Sequence, residues 1–492
     1  MTFEQLVTSG DGMDVSSRGA DVEGELSALR ADAKRDLAAL VSIPSVFSDA
    51  QHPEHVQKAA RTCADLLSAA GMDVEVITPP QSPPVDGEGR RDPAPIVYAS
   101  YLCGDLTAPT VLLYAHYDVV PATWQGAFTP EVVGGRMTER GAADDKSGVV
   151  MHLTTCRYLQ KLRGRGSLRV NVRLVLEGEE ESGTDTLATY MEMFPERFRA
   201  DVVSLADGGN IALGAPTLTT SLRGFVMADV TVRALEGDVH NGMYGGPVPD
   251  AYLALIRLLA TLHDDKGDVA VVGLRRPPWT GYTPTADSLR KDARVRDGVP
   301  LIGTHPLGEL LYTGPAVNVV GLERLVEQDA RSGAEPLPVT GEFRNALLAG
   351  VRARLCLRIG PSDDPGHAFD CLKEHLLRED LRPWGITPEV SYVFGEPGFQ
   401  RELTSGDAAG EMAESALRTA FRTEKVYWAG QGASIPLTHT LRKINEKADI
   451  LVWGCQEPLS HIHADHESVD LTELHAMTYA QVLLILGLAG QN

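Results

Sequence analysis

Cysteine is scarce and scattered: six in 492 residues (Cys63, Cys103, Cys156, Cys356, Cys371 and Cys455), with no Cys-x-x-Cys pair and no dense spacing. That argues against a disulfide framework and a structural zinc site and fits a reducing cytoplasm. Basic residues are also few, 45 Lys and Arg against 67 Asp and Glu, for a net charge of -22. Nucleic acid and anionic membrane surfaces select basic patches, so neither is an expected partner. No basic segment followed by an apolar stretch opens the chain, and the longest apolar run near its end, 482–489, is too short to span a bilayer. Internal repeats and low-complexity tracts are lacking as well.

What is present is an ordinary globular composition, 43% hydrophobic and 23% charged, with ample length to bury a core. Residues 1–20 are rich in Gly, Ser, Asp and Thr without sustained periodicity and read as a poorly ordered leader. Helical spacing then runs from Leu26 through Leu40 to Ile43-Pro44, and again over 54–70 up to Gly71. Strands are expected at 74–77, 96–102, 111–114, 168–176 and 202–206, with a Pro/Gly-rich loop at 79–95 and a helix over 146–162. This alternation is that of an α/β sheet. From about Leu213 the pattern changes to strands around 226–232, 352–359 and 389–394 with helices at 250–263 and 365–379, a compact α+β insert. Alternation resumes with a helix at 407–421, a strand at 450–453 and a helix at 471–486. The reading is therefore an α/β domain formed by 21–212 and 398–492, interrupted by an inserted domain at 213–397.

The chemistry-bearing residues sit where strands end, the place where open α/β sheets build their sites. Strand 111–114 runs into Ala-His116-Tyr-Asp118-Val-Val-Pro, and a period of two puts His116 and Asp118 on one side. Arg140-Gly-Ala-Ala-Asp144-Asp145-Lys sets two carboxylates before a helix. Glu177-Gly-Glu-Glu180-Glu181-Ser-Gly follows strand 168–176, and Asp207 closes strand 202–206. Two dications about 3.5 to 4 Å apart need an anion between them and further ligands for each; His116, Asp144, Glu181, Asp207 and His463 are candidates in chain order. Taken singly, His116 reads as a surface or satisfied core histidine. Asp144 and Asp145 read as helix N-caps, and Glu179 to Glu181 as a solvated acidic turn. A carboxylate beside a histidine, as Asp118 is beside His116, is the usual partner of a metal-ligating imidazole.

Jointly, five motifs in order (His116-Tyr-Asp-Val-Val-Pro, Arg140-Gly-Ala-Ala-Asp-Asp-Lys, Glu177-Gly-Glu-Glu-Glu-Ser-Gly, Leu205-Ala-Asp and His463-Ala-Asp-His-Glu) resemble the co-catalytic zinc metallopeptidases. That family includes carnosine dipeptidases, bacterial dipeptidases, aminoacylases, carboxypeptidase G and succinyl-diaminopimelate desuccinylase. The resemblance implies a zinc-peptidase-like α/β catalytic domain with a central mixed sheet, and a ferredoxin-like α+β lid through which related chains dimerise. It makes Asp144 the bridging carboxylate, with His116 and Asp207 on one metal ion and Glu181 and His463 on the other. Glu180 becomes the general base, then acid, toward a metal-bridging water, and the Asp144-Asp145 bond is expected to be cis. His461 and His466 compete for the ligand role, but only His463 stands where the family has it, so the other two are expected on the surface.

In the insert, Asp238-Val-His240-Asn-Gly resembles the family's Asp-Leu-His-Ser-Gly, implying that His240 stabilises an oxyanion from the partner subunit; alone it is a turn histidine. Arg358 in Leu-Arg-Ile-Gly-Pro matches an arginine that grips a substrate carboxylate; alone it is a strand arginine facing water. Asn318 and Ser434 match substrate-contacting positions. Three departures stand out: Ala433 and Glu139 replace glycines, and Ser147 interrupts a Lys-Gly pair. None removes a ligand or the base.

The implied activity is amide hydrolysis of dipeptides or short peptides. Asp207 favours that branch, since many deacylating relatives carry Glu there. The alternatives are an N-acyl-amino-acid amidohydrolase of the same architecture, or an inactive metal- or peptide-binding relative. Mixed His and carboxylate ligation suits zinc, manganese or cobalt.

Overall fold

The computed structural model describes residues 15–80, 92–105, 107–164, 168–325, 337–338, 345–401 and 407–490. The chain forms two compact units: Met1–Thr219 with Glu402–Ala429 and Thr440–Asn492, and Thr220–Arg401 with Gly430–His439. The expected boundaries at 212/213 and 397/398 therefore move by several residues. Residues 213–219 stay with the first unit because Thr219 pairs with Val452 and Pro216 accepts from the Tyr427 amide. Segment 430–439, expected in the catalytic domain, belongs to the second unit, where Arg223 bonds to the carbonyls of Gln431 and Gly432.

The main strands of the first unit's central sheet are β1 (Asp73–Ile77), β2 (Ile96–Tyr101), β3 (Thr110–His116), β4 (Asn171–Glu177), β5 (Val202–Leu205), β6 (Thr217–Leu222) and β7 (Asp449–Val452). Their order is β1-β2-β4-β3-β5-β7-β6. Pairing is parallel through β4-β3-β5-β7 and antiparallel at both flanks, a mixed sheet. The central strands are continuous apolar runs because both faces are covered: Val111 to Ala115 and Leu174 to Leu176 are all buried. Helices Arg30–Val41, Glu54–Ala69, Lys146–Arg163, Ala408–Phe421 and Leu471–Leu488 supply the covering layers. Among the described residues Leu471–Leu488 is the one helix long and apolar enough to cross a membrane, yet 72% of it is buried inside the unit.

The expectation of an irregular leader over 1–20 needs correction. Residues 1–14 lie outside the described residues, but a helix runs over Val15–Ser27. Val22 and Leu26 anchor it in the core, 7% and 1% exposed. Most of the expected 79–95 loop, residues 81–91, also lies outside the described residues.

The second unit has the chain order strand Gly224–Arg233, helix Ala251–Leu259, strands Ala316–Leu325 and Gly350–Ile359, helix Pro365–Leu377 and strand Glu389–Glu396. All neighbours are antiparallel, with Gly224–Arg233 and Gly350–Ile359 in the middle. This βαββαβ arrangement is ferredoxin-like. Alternation places Val226, Ala228 and Val230 with Leu355 and Leu357 on the face that buries Leu255, Leu258 and Leu372 of the helices.

Candidate active site

The parallel core strands end at His116, Glu177, Leu205 and Val452, so the segments that follow them emerge from one edge of the sheet. His116 is fully buried. Its Nε2 lies 3.1 Å from Asp144 Oδ1, and its Nδ1 lies 3.2 Å from the Asp118 carbonyl and 3.4 Å from Asp118 Oδ1. One nitrogen is thus oriented from behind and the other turned to the acidic cluster. The Asp118 carboxylate also accepts the amides of Glu180 and Glu181, at 3.2 and 3.0 Å, which fixes the turn after β4 against the turn after β3.

Asp144 and Asp145, adjacent in sequence, do different work. The bond between them is cis. Asp145 caps helix Lys146–Arg163, its Oδ1 accepting from the Gly148 amide at 3.2 Å. Gly148 admits this because a Cβ there would lie 2.3 Å from that oxygen. Asp144 instead faces the cluster, with Oδ1 toward His116 and Oδ2 3.2 Å from His463 Nε2. His463 Nε2 is also 3.1 Å from Glu181 Oε2. Donor atoms of His116, Asp144 and Asp207 lie within 4.8 Å of one another, and so do those of Asp144, Glu181 and His463. Two three-residue groups share Asp144, and Glu180 belongs to neither.

The electrostatics ask for cations. Burial, with the charges of Asp144 and Glu181, pushes the Asp207 carboxyl up to about 7. Burial, with Asp207, Glu181 and Asp118, holds Glu180 well above the usual range. Burial also raises Glu181. Burial would lower the His116 pKa, but hydrogen bonds to Asp118 and Asp144 carry it well above normal. Bonds to Asp144 and Glu181 take His463 up to about 10. Burial disfavours the Asp144 anion, yet His116 and His463 hold its pKa below the usual range. Five acids, Asp118, Asp144, Glu180, Glu181 and Asp207, thus crowd two imidazoles. Carboxylates paired with imidazoles in this way fit divalent cations as counter-charge.

The acidic turn is not a solvated run: Glu179 is buried and accepts from the hydroxyl of Thr186 at 2.7 Å. Behind the cluster, buried Glu467 accepts the amides of Ala143 and Asp144, each at 2.9 Å, and pairs with Arg140 at 2.7 Å. Trp124, absent from the motif reading, bonds Glu139 at 2.7 Å, with the Arg140 guanidinium over its ring and the His466 ring tilted against it. Its signal in the sequence was only an aromatic in the short link from the His116 motif to Arg140.

The remaining candidates lie in the second unit. Arg358 donates to Ser434 Oγ at 3.0 Å and sits over the Phe225 ring, 5.3 Å from its centroid. Arg358 opposes Ala316 and Asn318 opposes Cys356 on neighbouring strands, so Arg358 and exposed Asn318 share a sheet face. His240 is exposed on a separate two-residue pairing with Ala346 and Leu347, its Nδ1 accepting from Gly242 at 3.1 Å.

The sequence profile of peptidase family M20/M25/M40 matches residues 112–486. A cysteinylglycine-S-conjugate dipeptidase of Corynebacterium striatum is 35% identical over 464 residues, 92% of this chain and 94% of that protein. A human Beta-Ala-His dipeptidase is 31% identical over 412 residues, 79% of this chain and 76% of that one. Among solved structures, the di-peptidase Dug1p of Saccharomyces cerevisiae superposes with a TM-score of 0.79 at 19% identity, covering 96% of this chain and 98% of its own.

Proposed function

Because this chain belongs to peptidase family M20/M25/M40, we propose that its cluster holds two divalent ions and hydrolyses the amide bond of dipeptides. It is a metallopeptidase of the dipeptidase branch. The observation that carries the reading is the sharing of Asp144 by two ligand groups, His116 with Asp207 and Glu181 with His463. When bound, two such ions would supply Lewis-acid polarisation of the scissile carbonyl and a more acidic water. Zinc is the first candidate, and manganese or cobalt suits the same ligands.

Glu180 stands beside both ligand groups without joining either, and its carboxyl is held well above the ordinary range. Such a group accepts the proton of the attacking water and returns it to the departing amine nitrogen. Asp118 orients the His116 ring and the Glu180 backbone. Glu467 and Arg140 hold the Asp144 backbone in place.

The second unit is assigned the roles of lid and dimerisation surface. His240 steadies the oxyanion of the partner subunit's substrate, Arg358 reads a free carboxylate with its planar fork, and Asn318 and Ser434 complete that contact. Homodimerisation is supported by large apolar residues in the open: Leu253 and Ile256, 54% and 53% exposed, and Val320, 54%. Six free cysteines fit a cytoplasmic setting.

The test is a panel of dipeptides assayed beside their N-acetylated forms, with S-substituted cysteinylglycine and β-alanyl-histidine included. Turnover of the free dipeptides and not of the acetylated ones is expected. Preference for the acetylated forms would make the protein an N-acyl-amino-acid amidohydrolase instead.

A further inference from the structure

Glu139 has φ +93°, a conformation comfortable for glycine and rare for a side chain. Its amide donates to the Glu467 carbonyl at 2.7 Å and its own carbonyl accepts from Ala142 at 3.0 Å. Glycine would make both bonds, so the backbone does not explain a glutamate here. What glycine would lose is the carboxylate, whose Oε2 accepts from the Trp124 indole N–H at 2.7 Å.

The indole so held touches both turns that carry site residues. The Arg140 guanidinium lies 5.2 Å from its ring centroid, and the His466 ring is 5.7 Å away. Arg140 reaches Glu467 at 2.7 Å and the Ala464 carbonyl at 3.2 Å, and Glu467 holds the Asp144 amide. The neighbouring Thr123 hydroxyl donates to Asp465 at 3.2 Å. Turn 461–467 needs such bracing, since His461, His463 and His466 all have positive φ, 51°, 59° and 59°.

We propose that Glu139 is a positioning residue: through Trp124 it braces the turns that carry Asp144 and His463, which is why a strained side chain stands where glycine would be easier. The inference rests on the ligand assignment made under Proposed function. It separates two quantities that a merely structural residue would move together, fold stability and metal affinity.

The experiment measures zinc affinity by chelator competition and the melting temperature of the metal-free form, for the native chain, Glu139→Gly, Glu139→Ala and Trp124→Phe. Glu139→Gly should bind zinc about 10 to 100-fold less tightly, the usual cost of losing support behind a ligand, while its metal-free form melts no lower than native. Glu139→Ala should lose the same affinity and also melt lower, because the strain stays and the acceptor goes. Trp124→Phe should lose affinity too. Native zinc affinity in Glu139→Gly overturns the proposal, and so does a metal-free Glu139→Gly that melts well below native. A native chain that takes up no zinc overturns the ligand assignment and the brace together.

Discussion

His116 and His463 address opposite oxygens of one carboxylate: Nε2 of the first lies 3.1 Å from Asp144 Oδ1, and Nε2 of the second 3.2 Å from Asp144 Oδ2. The two residues are hundreds of positions apart in the chain, one at the end of β3 and the other in the turn before the last helix. A single side chain thereby joins two ligand groups, and distinct outcomes follow for each residue around it.

Glu180→Gln keeps the shape of the turn and removes the proton acceptor. Turnover should fall by at least about 100-fold, the lower range for losing general acid-base catalysis, while metal content stays that of the native chain. Full activity in the variant would remove Glu180 from the role.

Arg358→Lys retains the positive charge and loses the fork that donates to Ser434. The Michaelis constant should rise far more for free-acid dipeptides than for their amides. Equal changes for both would show that Arg358 does not read a carboxylate.

For His240, complementation is informative. A His240→Ala chain and a Glu180→Gln chain, each impaired, should regain activity when mixed under conditions of demonstrated subunit exchange, because a hybrid dimer has one site with both residues intact. Loss of an oxyanion donor costs about 100 to 1,000-fold, so recovery is easily seen. Two partners that stay inactive despite exchange would rule out action across subunits.

Away from the acidic cluster, Glu473 in helix Leu471–Leu488 accepts from the Asn210 side chain at 2.6 Å, and burial pushes its carboxyl from 4.5 up to about 7. A folded pKa above the unfolded one means stability that is complete below about pH 4.5 and lost as pH rises through 7. The full span is worth at most about 3 kcal/mol. Glu473→Gln should flatten the fall in urea stability between pH 4.5 and 8. Parallel curves for variant and native chains would contradict the assignment.

The strands of the parallel core were legible because burial on both faces writes them as apolar runs, as in Val111 to Ala115. Of the candidate ligands, His116, Glu181 and Asp207 stand at or within a few residues of such a strand's end, whereas Asp144 and His463 follow no core strand so closely and were legible only through their motifs. Strand Thr217–Leu222 was missed: its run of Thr and Ser is polar in composition, yet every residue in it is buried. Helix Val15–Ser27 was missed upstream of Leu26 because its two glycines and its serines leave Val22 as the one further anchoring residue. Trp124 and Glu139 acquire meaning only from a φ angle and from contacts between segments more than 300 residues apart, as Thr123 with Asp465 shows. No local pattern encodes those.

Metal analysis of Asp144→Ala beside the native chain, after identical loading and removal of excess metal, shows whether one carboxylate holds two ions. Two ions are expected per native chain and none in the variant, which should remain folded by circular dichroism. Retention of two ions by folded Asp144→Ala would contradict the bridging role of Asp144.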